Sequence, residues 1–288
     1  MGMTVGDPAR AGTTDRGIGG RDWLRWTGWA SLLGNCLLVV TGGAVRLTGS
    51  GLGCPTWPRC YRGSLTPRHE LNIHSAIEFG NRTLTFLLAA IAVVTFVAAW
   101  RSGRRELRWL AFGMGMFIPA QAVIGGITVL TDLNPWVVSL HLISSMVIIG
   151  LAVLFLWRID HPFSRPSVIA RLTFASAVAV LYIGTVVTGA GPHAGDKASA
   201  RNGLSPLQTA QLHADLVFLL VGLTLAMLVL SRTRAVVWLF AIEIAQGAVG
   251  FVQYFTHLPI ALVALHMLGA AALSAAVTWV LVDSGVSD

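Results

Sequence analysis

Apolar residues run along this chain in eight long blocks, and polar groups collect in the short stretches between them. The blocks are Thr27–Val45, Thr83–Trp100, Trp109–Thr131, Leu133–Trp157, Leu172–Gly195, Leu216–Ser231, Ala235–Thr256 and Leu258–Val282, the seventh broken only by Glu243. Most approach or exceed the roughly 20 residues that a helix needs to cross a bilayer. The pattern predicts an all-α membrane protein with eight transmembrane helices.

Composition agrees: 55% of the residues are hydrophobic and 11% are charged, outside the range of a soluble globular domain. Basic residues are retained on the cytoplasmic side of a membrane, and their positions set the orientation. Arg10, Arg16, Arg21, Arg25, Arg101, Arg104, Arg105, Arg108, Arg158, Arg165, Arg171, Arg232 and Arg234 fall on one side. Arg59, Arg62, Arg68, Lys197 and Arg201 fall on the other. The N- and C-termini are therefore expected in the cytoplasm, and the cell membrane, in bacteria the plasma membrane, is the expected location. The net charge of +7 then reads as topology signal and lipid attraction, with no nucleic-acid partner. Residues 1–25, rich in Gly and Arg, read as a disordered cytoplasmic tail.

Of three cysteines, Cys54 and Cys60 share the first outer loop, on the oxidising side where a disulfide persists. A bridge is favoured over a metal pair, because no further loop ligand completes a zinc set. Cys36, inside the first block, reads as a packing residue.

The two halves resemble each other. Thr48-Gly49-Ser50-Gly51 corresponds to Thr188-Gly189-Ala190-Gly191, and Gln121 precedes His141 by the same 20 residues that separate Gln246 from His266. Leu84, Phe86, Leu87 and Leu88 match Leu216, Phe218, Leu219 and Leu220, which sets Asn81 opposite His213. These matches predict two pseudo-symmetric four-helix bundles, residues 26–157 and 172–288, joined by a cytoplasmic linker at 158–171.

Ionisable groups inside a membrane are costly and usually face a cavity or a pathway. His213 and His266, at similar outer depths on repeat-related helices, suit bis-imidazole ligation of a haem; a hydrogen-bonded interior pair is the plainer alternative. His141 occupies the place equivalent to His266, but its expected partner is Asn81, a poor iron ligand. His74, Glu78 and Asn81 share one wedge of the second helix. Glu78 is either an ion-pair partner for Arg82 one turn on or a functional carboxylate, and spacing alone leaves both open. Asp215 and Glu243 read as structural or cavity-lining.

These residues resemble the haem A synthase family. The likeness covers nearly the whole chain after the tail. It rests on Gly42-Gly43-Ala44-Val45-Arg46-Leu47-Thr48-Gly49-Ser50-Gly51-Leu52-Gly53-Cys54-Pro55 through Cys60, on Ile77-Glu78-Phe79-Gly80-Asn81-Arg82, on Gly125-Gly126-Ile127-Thr128-Val129-Leu130-Thr131, and on the surroundings of His141, His213 and His266. The resemblance implies stepwise oxidation of a methyl group of haem O to a formyl group, with water supplying the oxygen, to furnish haem A for cytochrome oxidase. It implies a resident haem b on His213 and His266, substrate haem O in the first half, Glu78 as the catalytic acidic residue, and a Cys54–Cys60 disulfide. Where many members have Glu-x-x-His-Arg, this chain has Asn81 before Arg82. The substrate iron is then expected to be five-coordinate on His141, with His74 as the other candidate and Asn81 and Arg82 lining the site. The second outer loop, Gly191–Gln208, lacks the cysteine pair of some members.

Expected partners are membrane lipid, haem O synthase and a quinone or other electron acceptor; a homo-oligomer is compatible with the sequence. Two rival functions use the same histidines: a dihaem b-type electron carrier between a quinone and an outer partner, and a haem-handling assembly protein without turnover.

Overall fold

The computed structural model describes residues 18–67 and 73–286. Eight helices follow one another: α1 Ile18–Leu47, α2 Ile73–Arg101, α3 Arg105–Leu130, α4 Pro135–Asp160, α5 Val168–Ala190, α6 Pro206–Leu230, α7 Arg234–Phe255 and α8 Ile260–Asp283. All eight are long and apolar enough to cross a membrane. In hydrocarbon every backbone N–H and C=O must be paired within the chain, and a helix does this without a partner. The helix starts are written locally. Asn134 caps α4 by accepting the Trp136 N–H, and Ser205 caps α6 by accepting that of Gln208, each followed by a proline at the first helical position.

Each helix extends beyond its apolar block at one end or both, except that α5 stops at Ala190, short of the expected end at Gly195. α1 begins at Ile18, so residues 18–25 of the expected tail are helical, and residues 1–17 lie outside the described residues. These roughly two extra turns carry the ion pairs of Arg25, which donates to Asp160 at the end of α4 at 3.0 Å, and of Arg21 at 3.6 Å. Arg68 of the expected outer loop also lies outside the described residues. The 158–171 linker is shorter than expected, because α4 keeps Arg158–Asp160 and α5 starts at Val168, capped by Ser167. Inside it, β1 (Arg165–Pro166) pairs antiparallel with β2 (Gly285–Val286) after α8. Thr188-Gly189-Ala190 lies within α5, whereas its expected counterpart from Thr48 follows α1. There Gly49, at φ +66°, takes a left-handed turn that suits a residue without Cβ.

Packing follows the same ring in each half. α1 packs on α2 and α4, and α3 on α2 and α4; α5 packs on α6 and α8, and α7 on α6 and α8. The halves meet through α4 against α5 and α8, and α1 against α8. Buried cores lie inside each ring, around Leu107, Ile149 and Phe155 in one and Leu220, Leu239 and Val277 in the other. Phe86, Trp26 and Val229 are more than 70% exposed, which a bilayer tolerates and water does not. The chain is a multi-pass membrane protein. At the loop end of the bundle the halves are tied by Gly51 N–H to the Gly195 carbonyl and by Arg46 to the carbonyls of His193 and Thr188.

Candidate functional site

The loop after α1 is folded onto the first turns of α2. Gly53 passes so close that a Cβ there would collide with the backbone of His74 and Ser75. The next residue, Cys54, is bridged to Cys60, and both are fully buried. Glu78, 5% exposed, faces this loop from α2. Its Oε2 accepts the Cys54 N–H at 2.7 Å, and its Oε1 accepts from Arg82 Nε at 3.1 Å and Nη2 at 2.5 Å. Arg82 also donates to the carbonyls of Cys54 (3.0 Å) and Thr56 (3.1 Å). The ion pair open from spacing is thus formed, and it serves the loop as well as the helix. Trp57, inside the disulfide ring, packs against α3 at Gly126, where a Cβ would meet its indole.

Of the polar wedge on α2, the other two members have separate partners. His74 Nδ1 lies 2.9 Å from Ser50 Oγ, at the loop end. Asn81 accepts from Thr41 of α1 at 2.8 Å, so its oxygen is held across the bundle. His141 stands on α4 with its ring against Gly125 of α3; a Cβ there would lie 3.1 Å from Cε1. Its Nδ1 is enclosed without a hydrogen-bond partner among the described residues. Gln121 accepts from Ser145 Oγ at 3.3 Å, and its Nε2 is likewise enclosed and unpartnered.

In the second half, α6 and α8 bring His213 and His266 together with ring centres 6.5 Å apart and planes at 72°. Gly184 of α5 backs His213, and Gly250 of α7 backs His266. Both Nδ1 atoms are enclosed without a hydrogen bond of good geometry, although the Val180 backbone lies beside His213. Two desolvated imidazoles that face each other without bonding are costly unless something else binds them. A metal–imidazole bond of about 2 Å on each side, plus the distance from nitrogen to ring centre, separates two ring centres by roughly 6 Å. The pair therefore has the spacing of two imidazoles that would hold one iron between them. Among the described residues no group of three or more His, Cys, Asp or Glu could cage a metal ion. A haem brings four donors of its own and asks its protein for only one or two side chains, which a histidine pair would supply.

Glu243, 4% exposed, accepts from Thr224 at 2.7 Å and has an unpartnered Oε2; Asp215 accepts from Gln211 at 2.8 Å. Thr41 and the glycines behind His213 and His266 were not picked out from the sequence. Equal spacing was a usable signal for one of them, since Gly125 precedes His141, and Gly250 precedes His266, by the same 16 residues.

The family model described as cytochrome oxidase assembly protein, COX15-CtaA, matches residues 25–278. Among similar proteins, "Heme A synthase" of Lysinibacillus sphaericus (strain C3-41) is 34% identical over 153 residues, 51% of this chain and 49% of that one. "Heme A synthase" of Geobacillus kaustophilus (strain HTA426) is 30% identical over 150 residues, 50% of this chain and 47% of that one. The chain spans about half the length of the curated relatives it matches. The family match covers both halves of the bundle and all the site residues described above. The chain belongs to the COX15-CtaA family of cytochrome oxidase assembly proteins.

Proposed function

We propose that the protein is a haem A synthase that oxidises a methyl group of haem O to a formyl group in two successive steps, with oxygen from water. The observation that carries this is the asymmetry between the halves. One holds two imidazoles at a spacing that fits a single iron, and the other has His141 enclosed against Gly125 of α3, Asn81 engaged by Thr41, and the buried Glu78 carboxylate on α2. His213 and His266 hold a resident haem b, which supplies electron transfer. His141 holds the substrate iron, with Asn81 and Arg82 lining the site and His74 kept at the loop by Ser50.

Glu78 is the catalytic carboxylate. Its two oxygens are oriented by Arg82 and the Cys54 N–H, so that it faces the reacting methyl group without rotating away. There it stabilises positive charge developing on the oxidised carbon or accepts a proton from attacking water. The disulfide loop covers this site and restricts water to what the reaction uses. The termini and the arginine-rich end lie in the cytoplasm, and the disulfide loop lies outside. Haem O synthase supplies the substrate. Co-expression with a haem O source, followed by pigment extraction, tests the reading. Haem A is expected with the native chain and absent with Glu78→Gln, while haem b stays; haem A at native levels in that variant refutes the assignment of Glu78.

A further inference from the structure

Glu243 is a buried carboxyl with no part in the chemistry proposed above. It stands on α7 at 4% exposure, inside the second half. Its Oε1 accepts from Thr224 of α6 at 2.7 Å, and its Oε2 is enclosed without a partner among the described residues. α6 and α8 pack on α7. Of ionisable groups, α6 carries His213 and Asp215, α8 carries His266 and Asp283, and α7 itself carries Arg234 and Tyr254. Among the described residues none of these forms an ion pair with Glu243.

A carboxyl enclosed in a membrane bundle with one hydroxyl for a partner costs stability. The corresponding place in the first half is apolar. The register that sets Gln121 against Gln246 sets Ile118 against Glu243, and the one that sets Leu84 against Leu216 sets Ala92 against Thr224. Ile118 and Ala92 belong to one apolar cluster with Leu88 and Ile148. The same pair of helix positions thus closes with hydrocarbon in one half and with a carboxyl in the half that carries the paired histidines.

Thr224 follows His213 by 11 residues, about 16 Å along α6. Gln246, one turn from Glu243 on α7, lies against Gly269 of α8, where a Cβ would fall on its amide. Gly269 is three residues from His266, so the polar side of α7 leads from Glu243 to the turn of α8 that carries this histidine. In the other direction Met227, one turn past Thr224, accepts from Thr173 of α5 at 3.5 Å. Across about 16 Å, at an effective dielectric constant of about 20, one unit charge changes the equilibrium of another group about sixfold. A carboxyl without a counter-ion of its own answers to that charge first.

We propose that Glu243 is the proton acceptor coupled to electron transfer at His213 and His266, taking one proton from water when an electron reaches the haem held there and releasing it when the electron leaves. An O–H bond forms on the carboxylate as the iron goes from ferric to ferrous and breaks on re-oxidation, so the charge inside the second half stays constant. The proposal rests on the resident haem b proposed above. The methyl group of haem O supplies the electron, and a membrane acceptor of the quinone class removes it.

The test is a redox titration of the resident haem in the purified full chain, followed by its low-spin absorption from about pH 5 to about pH 9, where desolvated carboxyls exchange their protons. At a fixed potential the ferrous-to-ferric ratio of the native chain is expected to fall about sixfold across that range. Glu243→Gln is expected to keep haem b and lose this dependence. Infrared spectra, reduced minus oxidised, are expected to contain a carboxyl C=O band that the same variant removes. Glu243→Ile with Thr224→Ala reproduces the apolar pair of the first half and is expected to behave alike, which guards against a fold disturbed by the lone amide. An unchanged pH dependence in either variant with haem b bound overturns the proposal and assigns the proton to the carboxylates of the haem itself. A native ratio independent of pH overturns it as well, and haem A formed in cells by that native chain leaves the haem O reading standing. Loss of the dependence in both variants, in a chain whose native form makes no haem A, upholds the proton site and sinks the haem O reading. A native chain that binds no haem b sinks both.

Discussion

Removing the guanidinium of Arg82 should open the disulfide loop more than removing the charge of the carboxylate it pairs with. Arg82→Met deletes four hydrogen bonds, two to Glu78 Oε1 and two to the carbonyls of Cys54 and Thr56. It leaves the Glu78 carboxylate, whose side chain is 6% exposed, with only backbone N–H groups of the loop, that of Cys54 foremost, to offset its charge. Breaking a buried pair from one side costs about 3–5 kcal/mol. The Arg82 side chain is 22% exposed, so water offsets part of this and the lower end applies, about 3 kcal/mol. Glu78→Gln keeps an acceptor for the Cys54 N–H and strands only Arg82, which is partly exposed and still donates to the Cys54 and Thr56 carbonyls, so about 1–2 kcal/mol is expected.

Trypsin reads this locally, because Arg59 and Arg62 lie in the loop between α1 and α2. When opening is fast relative to cleavage, the cutting rate follows the opening equilibrium. Arg82→Met should then be cut on the order of 100-fold faster than the parent, and Glu78→Gln roughly 5- to 30-fold faster. The double variant should be cut more slowly than Arg82→Met alone, because its buried charge is gone. Equal rates for Arg82→Met and the double variant would show that the stranded carboxylate is not what opens the loop.

Other outcomes follow from the same contacts. His213→Ala and His266→Ala should each abolish the low-spin b-type spectrum of the purified protein, whereas His141→Ala should keep it; a retained spectrum in either of the first two variants refutes the pairing. Gly184→Val should displace the His213 ring, because a Cβ alone lies 3.1 Å from Cε1, and lower haem b occupancy by well over half without unfolding the bundle. Gly250→Ala, where the corresponding distance is 3.6 Å, should keep it. Gln121→Leu removes an enclosed, unpartnered Nε2 at the loss of one long bond from Ser145, which keeps the His141 carbonyl as acceptor, and should leave stability unchanged or raise it by about 1 kcal/mol; marked destabilisation would mean that Nε2 has a partner in the membrane.

Helix number was legible because lipid demands long apolar runs, and length alone identifies them. Helix ends were less so. Arg21 and Arg25 break the apolar run, yet they belong to α1 because Asp160, far away in sequence, receives them. The pairing of His213 with His266 was readable from the repeat register, since each lies at the same depth on a partner helix. The role of Arg82 was readable only in part. An i, i+4 relation announces the bond to Glu78, but the two loop carbonyls come from 26 and 28 residues away and carry no side-chain signature. Arg158 was legible only as one of the basic residues that set the orientation; its bond to Glu106 of α3 comes from packing and carries no local signature.

Asn81 shows why repeat logic alone does not settle the first half. The register places it where His213 stands, and a simple reading treats it as a ligand lost by drift. In the structure it accepts from Thr41, so the position now ties α2 to α1. Restoring a ligand by Asn81→His would therefore remove an interhelical hydrogen bond at the same time as it offered an imidazole. If a second ligand is what the substrate site lacks, Asn81→His should convert the first-half haem from a five-coordinate to a low-spin six-coordinate spectrum. If the Thr41 bond is what the site uses, Thr41→Val should weaken substrate-haem retention as much as Asn81→Leu does, with the resident haem unaffected in both. Retention in Thr41→Val equal to the native chain would leave Asn81 without a structural role and return it to the status of a vacant ligand position.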